Sequence, residues 1–325
     1  MAVHQYICQF VPADIDAALG RRYSVGPEIA VGGQGTVFRA TRTSRPDGTA
    51  THDVVALKLH FDRRRNIRVQ PEITAMENVS HPNLARLIEH GYCDVAGRHT
   101  RYVAWEFIDG QSLSDRLKSG RLLESEVLGI GRDVSVAIAE IWSRRIVHGD
   151  IKPSNIMLRN SGGHMMFGSA DSAVLIDLGA AKYLDQGNIS TLRPPDRDDR
   201  RRSARRTIGT WGYFSPEQIR GTKALSCASD VFSLGVVMLQ CLLGRHPTDS
   251  DQTALADGIR ASGGRLSASV GLLCTLDLML SPLPAFRPKP AELSRRFQSL
   301  LQTMPGQPPG ENHTQQGSGS SIQEK

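Results

Sequence analysis

Close to residue 112 the hydrophobic period of this 325-residue chain changes, and that change limits the folds open to it. Residues 23–61 alternate short apolar runs with turn signals such as "VGGQG" and "RPDGT", and "VVALKLH" at 54–60 is rich in strand formers, which predicts a small sheet. "LARLIEHGY" and "RYVAWEF" read as further strands. Ahead of them "QPEITAMENVS" has helical spacing with Pro71 near its start and is broken by "HPNL". Beyond "IDGQS" at 108–112 the text turns helical: "ESEVLGIGRDVSVAIAEIWSRR" carries apolar residues at 127, 130, 134, 137, 138 and 141, one stripe of a helix. The chain therefore reads as α+β, a small sheet with one helix followed by a mostly helical part.

Composition allows a sizeable core, with 39% apolar and 22% charged residues. The formal charge of +6 is partly local, because residues 193–206 hold seven arginines against three aspartates. The basic balance is thus a poor argument for nucleic acid, and no nucleic-acid partner is expected. The N-terminus lacks both a basic start and a long apolar run, and "VFSLGVVMLQCLLG" at 231–244 is too short to span a bilayer, so no membrane anchor is expected. Five cysteines without a C-x-x-C pair suit reduced thiols and a cytoplasmic location, and no cysteine metal site is expected. Residues 159–172 and 185–209 are loop-like, and 303–325 have the composition of a disordered tail.

The chemistry-bearing text is densest at 146–155, "IVHGDIKPSN", where His148, Gly149, Asp150, Lys152 and Asn155 fall within eight positions. Upstream, "IAVGGQGTVF" (29–38) precedes a strand, and its glycines would let backbone N–H groups approach phosphates. Alone, that stretch is equally a glycine-rich hairpin turn. Its spacing to "VVALK" puts Lys58 on a strand beside it; a lysine in an apolar strand is costly to bury unpaired, and Glu72 on the following helix is the expected partner. Near the middle, "VLIDLGAAK" ends a buried strand on Asp177 and follows it with Leu178 and a glycine.

In order, "AVGGQG", "VALK", "HGDIKPSN", "DLG" and "SPE" make the chain resemble the protein kinase family, Ser/Thr type, from about residue 23 to 302. The resemblance implies a bilobal fold: an N-lobe at 23–107 with an antiparallel sheet and one helix, a hinge at 106–111 and a mainly helical C-lobe at 112–302. Residues 1–22 are then an N-terminal extension and 303–325 a tail. It implies ATP with Mg²⁺ or Mn²⁺ as cofactors, protein hydroxyls as substrates, autophosphorylation, and a monomer or transient dimer. Carried over residue by residue, the resemblance implies that Asp150 orients the attacking hydroxyl and accepts its proton, Lys152 neutralises charge on the transferred group, Lys58 and Glu72 hold the α- and β-phosphates, and Asn155 and Asp177 hold the metal. By the same resemblance ATP would lie against Ala30, Val31, Gly32, Gly33, Gln34, Gly35 and Val37, with Ala56 and Met157 sandwiching the adenine and Glu106, Phe107 and Ile108 reading it through backbone groups. Trp105 occupies the gatekeeper position, and is equally a core aromatic. The resemblance also implies that Thr210 contacts Asp150 and Lys152, that Glu217 pairs with Arg287, and that Asp230 anchors the catalytic-loop backbone.

Two departures from the family pattern keep alternatives open. Gly149 replaces the usual arginine, as in small-molecule kinases of the aminoglycoside or choline phosphotransferase kind, and Ala30 replaces the first loop glycine, as a catalytically inactive kinase-like scaffold could. In kinases with the arginine, it receives an activation-loop phosphate. Here phosphorylation of Ser203 or Thr207 in the basic segment before Glu217 is therefore not expected to be the main on-switch.

Overall fold

The computed structural model describes residues 10–31, 35–45, 47–60, 73, 76–77, 79–160, 173–177, 182–183 (backbone only), 212–221, 225–247 and 268–304. A short helix, α1 (Pro12–Ala18), leads into strands β1 (Tyr23–Val31), β2 (Gly35–Ser44), β3 (Ala50–His60), β4 (Leu87–Val95) and β5 (Arg98–Glu106). They form one antiparallel sheet in the order β1-β2-β3-β5-β4. Of the predicted helix between β3 and β4, Ile73 and Met76 lie among the described residues, and both are helical and buried.

Strand alternation gives this sheet two covered faces. Val55, Leu57 and Leu59 of β3 have no exposed surface and join Phe38, Tyr102 and Ala104 in an outer core. The residues between them, Ala56 and Lys58, point to the opposite face, where Val103 and Trp105 of β5 meet Ile73, Met76 and Leu87 in the main core. Trp105 is thus packed as a core aromatic on this inner face, 8% exposed.

The outer core is closed by the segment that the sequence sets aside as an extension. Phe10, Ile15 and Leu19 pack against the sheet, and the Asp16 carboxylate accepts the Val25 N–H at 2.8 Å. Next to them Glu89 accepts from Arg22 (2.6 Å), Tyr102 (2.6 Å) and Tyr23 (3.0 Å). Burial opposes ionisation of Glu89, but these donors outweigh it and hold its carboxyl below the ordinary value. Residues 10–22 are therefore integral to the sheet. Ile15→Ala, at a position with no exposed surface, is expected to cost about 2–5 kcal/mol in denaturant unfolding, the range for truncating a buried aliphatic side chain. A cost within the noise would mean that α1 is an appendage.

β5 runs through Glu106, and Gly110–Ser112 form strand β6, so residues 107–109 join the lobes, a shorter connection than the expected 106–111. The second lobe holds α2 (Leu113–Leu117), α3 (Glu124–Ser143), β7 (Ile146–Val147), β8 (Ile156–Arg159), β9 (Ala173–Leu175) and β10 (Lys182–Tyr183). After them come α4 (Pro216–Ile219), α5 (Cys227–Leu243), α6 (Val270–Met279) and α7 (Pro290–Thr303). α3 packs against both α5 and α7, and α5 is buried on nearly every side at the centre of this lobe. Ser226 caps the start of α5 by accepting the Ala228 N–H, and Gly244 stops it in a left-handed turn at φ 72°. No helix among the described residues is long and apolar enough to cross a membrane.

Candidate active site

The loop between β7 and β8 carries the His148–Asn155 cluster. Ile146 and Val147 are fully buried and anchor its start, while Pro153–Asn155 form one 3-10 turn that closes it. Asp230, near the start of α5, receives the backbone N–H groups of His148 (2.9 Å) and Gly149 (2.8 Å). Complete burial pushes the Asp230 carboxyl above its ordinary value, against the pull of those two donors.

Gly149 has φ 75°, a left-handed backbone. Any residue with a Cβ would raise the energy there by roughly 1–2 kcal/mol. The glycine that reads in the sequence as a lost arginine also suits the local backbone.

Within the loop the side chains converge on Asp150. Lys152 Nζ donates to Asp150 Oδ2 at 2.7 Å, and Asn155 Nδ2 donates to the Asp150 carbonyl at 2.8 Å and to Oδ2 at 3.2 Å. The other oxygen, Asp150 Oδ1, is buried and has no hydrogen-bond partner among the described residues. His148, wholly buried, receives the Asp150 N–H on Nδ1 (3.3 Å), so its proton sits on Nε2 and is given to the Ile176 carbonyl (3.2 Å).

β8 pairs antiparallel with β9, which brings Asp177 beside the loop: the Ile176 N–H donates to the Asn155 carbonyl at 2.9 Å. Asp177 takes a left-handed φ of 61°, a conformation that aspartate tolerates better than most residues. Its two carboxylate oxygens receive Lys58 Nζ from β3 at 2.6 and 2.8 Å. The lysine's partner among the described residues is therefore Asp177, 119 positions away, where the sequence suggested Glu72. Glu72 lies outside the described residues, as do Gly32, Gly33, Gln34, Ser203, Thr207 and Thr210. His60, two residues past Lys58, is pulled down to about 3 by burial and by the Lys58 and Arg101 charges, so its ring is neutral at physiological pH.

The remaining positions that the resemblance assigns to the nucleotide are spread over β1, β2, β3 and β8. Ala30 and Val31 are exposed at the end of β1; Val37, Ala56 and Met157 are half-buried, Ala56 against the main core and Met157 against Ala85, Ile108 and Val174. Gly35 has a packing reason of its own: a Cβ there would sit 2.1 Å from the Leu59 carbonyl oxygen, so β2 could not approach β3. At the connection between lobes Glu106 pairs with Arg159 of β8 at 3.2 Å, a tie that nothing in the local sequence announces.

The donor set fits a hard cation. Among the described residues no group of three or more His, Cys, Asp or Glu side chains could hold a metal alone. Asn155 and Asp177 offer two neighbouring oxygen donors, the small protein share typical of a magnesium ion that keeps waters and phosphate oxygens. Behind the site Glu217 of α4 and Arg287 form a buried bidentate pair at 2.6 and 2.9 Å, and Arg287 also donates to the carbonyls of Ala228 and Ser281.

An antiparallel sheet lobe joined to a helical lobe, with a strand lysine paired to Asp177 beside a loop Asp-x-Lys-x-x-Asn, is the arrangement of the kinase class of folds. The protein kinase domain profile matches residues 23–310, and the chain belongs to the protein kinase family. It is 27% identical over 231 residues to "Probable serine/threonine-protein kinase PknB" of Lactococcus lactis subsp. lactis (strain IL1403), covering 71% of this chain and 33% of that protein. To "Serine/threonine-protein kinase pkn3" of Myxococcus xanthus it is 30% identical over 243 residues, 73% of this chain and 41% of that protein. To "Putative L-type lectin-domain containing receptor kinase V.8" of Arabidopsis thaliana it is 32% identical over 227 residues, 67% of this chain and 31% of that protein. The chain thus spans between about a third and two fifths of the length of these relatives.

Proposed function

We propose that the chain is a serine/threonine protein kinase that transfers the γ-phosphoryl group of ATP to protein hydroxyls, its own included. The observation that carries this reading is the buried Asp150 Oδ1, without a partner among the described residues, beside an Oδ2 already held by Lys152 and Asn155. A carboxylate fixed on one oxygen and free on the other can receive a hydroxyl proton without turning. Lys152 stands next to it as the cation for the transferred group, and Lys58 is the cation for the nucleotide phosphates. Asn155 and Asp177 would hold Mg²⁺ or Mn²⁺ through oxygen. The bound metal supplies charge neutralisation on the phosphates. Lys58→Met should therefore weaken ATP use, and Asp150 should act on the acceptor alone. We place the enzyme in the cytoplasm, where ATP and reduced thiols coexist.

The test is incubation of the purified chain with labelled ATP, Mg²⁺, a generic protein acceptor and a panel of amino alcohols. Label on protein serine or threonine is the expected result. Label confined to a small molecule, or phosphotyrosine as the only product, would contradict the proposal. Ser203→Ala and Thr207→Ala should each keep most of the activity in this assay, since Gly149 has no side chain to receive a phosphate. Near-complete loss in either would make segment phosphorylation the switch after all.

A further inference from the structure

We infer that Gln218 is a positioning residue for Asp150: its side-chain amide ties α4 to the catalytic loop without the help of a phosphate. The inference rests on the phosphotransfer reading above and extends it to a residue outside the catalytic set.

The two ends of this amide do different work. Oε1 accepts the Ser215 N–H at 2.9 Å and the Ser215 hydroxyl at 3.1 Å, so that Gln218 serves as the third residue of a helix capping box. Nε2 donates in the other direction, to the Gly149 carbonyl at 3.1 Å. That carbonyl belongs to the Gly149–Asp150 peptide, which is planar, and the N–H of the same peptide donates to His148 Nδ1 at 3.3 Å. One peptide plane is thus held from both sides, and it directly precedes the Asp150 side chain. The peptide before it is held by Asp230 through the Gly149 N–H.

Glycine at φ 75° makes the tie consequential. A glycine backbone reaches more conformations than any other, so without outside contacts this plane would be the softest point of the loop. The position where related kinases carry an arginine for a phosphate is here connected to α4 through its backbone. Gln218 supplies a contact between the two segments that is present whatever the phosphorylation state.

Gln218→Glu separates the tie from the cap. Glutamate is a favoured capping-box residue and keeps the acceptor for Ser215, but it has no donor for the Gly149 carbonyl and sets a negative oxygen against it. The expected result is a kcat reduced about 10- to 100-fold, the scale of a small misplacement of a catalytic group, with an unchanged KM for ATP and an unchanged Tm. Gln218→Met, similar in volume but with neither polar end, should lower kcat similarly and lower Tm as well. Amide hydrogen exchange at residues 148–151 should quicken in both variants. A Gln218→Glu variant with the parent's kcat would leave only the capping role and overturn the inference. Should the parent transfer no phosphate, the phosphotransfer reading fails, and exchange at 148–151 still decides the tie: parental exchange in Gln218→Glu overturns it.

Discussion

Asp150→Asn is expected to reduce phosphoryl transfer by about 10²–10⁴-fold, the usual worth of a positioned general base, while leaving nucleotide affinity near the parent's. The substitution keeps the shape of the side chain and the backbone contact from Asn155 to the residue 150 carbonyl. It removes the negative charge facing Lys152 and leaves a poor proton acceptor where Oδ1 is buried without a partner among the described residues. Lys58→Met should be comparably damaging by another route. It removes the cation that meets Asp177, on a strand residue 7% exposed, so the loss should include nucleotide binding. Steady-state rates with a protein acceptor, alongside fluorescent-nucleotide titration, distinguish the two. Undiminished transfer in either variant would refute the assigned roles.

The largest effect on stability is expected from Arg287→Ala. The Arg287 side chain has no exposed surface and serves Glu217 and two carbonyls at once, and its ring-facing side stacks 4.9 Å over Phe232. Removing one partner of a buried ion pair typically costs about 3–5 kcal/mol, because the other charge stays buried. The pair also predicts an acid dependence. Burial pushes the Glu217 carboxyl up, but hydrogen bonds from Arg287 and Ser229 more than offset it and bring it down to about 2 from the usual 4.5. A folded-state value below the unfolded one means stabilisation that is complete above about 4.5 and is lost as pH falls towards 2. Denaturant unfolding of the parent across that window should show this loss, and Arg287→Ala should show a flatter profile there. A variant within 1 kcal/mol of the parent at neutral pH, against about 3–5 expected, would mean that the pair is replaceable.

Much of the architecture was legible because it depends on local periodicity. Alternation in "VVALKLH" and the stripe from Val127 to Ile141 are properties of neighbouring residues, and they led to the α+β division that β3 and α3 display. The family was legible for a related reason: its motifs are short runs in fixed order. Other features failed to show at this level. Nothing in "PADIDAAL" says that Ile15 and Leu19 fill the outer face of the sheet, since a seven-residue helix carries too little pattern to reveal its partner. The Gly35 constraint was read towards a ligand, whereas a strand neighbour already requires it.

The chain order of "AVGGQG", "VALK", "HGDIKPSN", "DLG" and "SPE" was enough to carry the resemblance to the protein kinase family, because five short motifs in that order do not recur by chance. It was also enough to mark Gly149 as unusual. Which groups meet was decided only in three dimensions. Lys58 reaches Asp177 across 119 positions, Gln218 reaches Gly149 across 69, and Asp230 reaches the same glycine across 81. Such contacts depend on how β3, β9, α4 and α5 stack around one loop, and hydrogen-bond direction over a few ångströms has no counterpart in local spacing. The meaning of Gly149 changed accordingly, from an absent side chain to a backbone turn held by its neighbours.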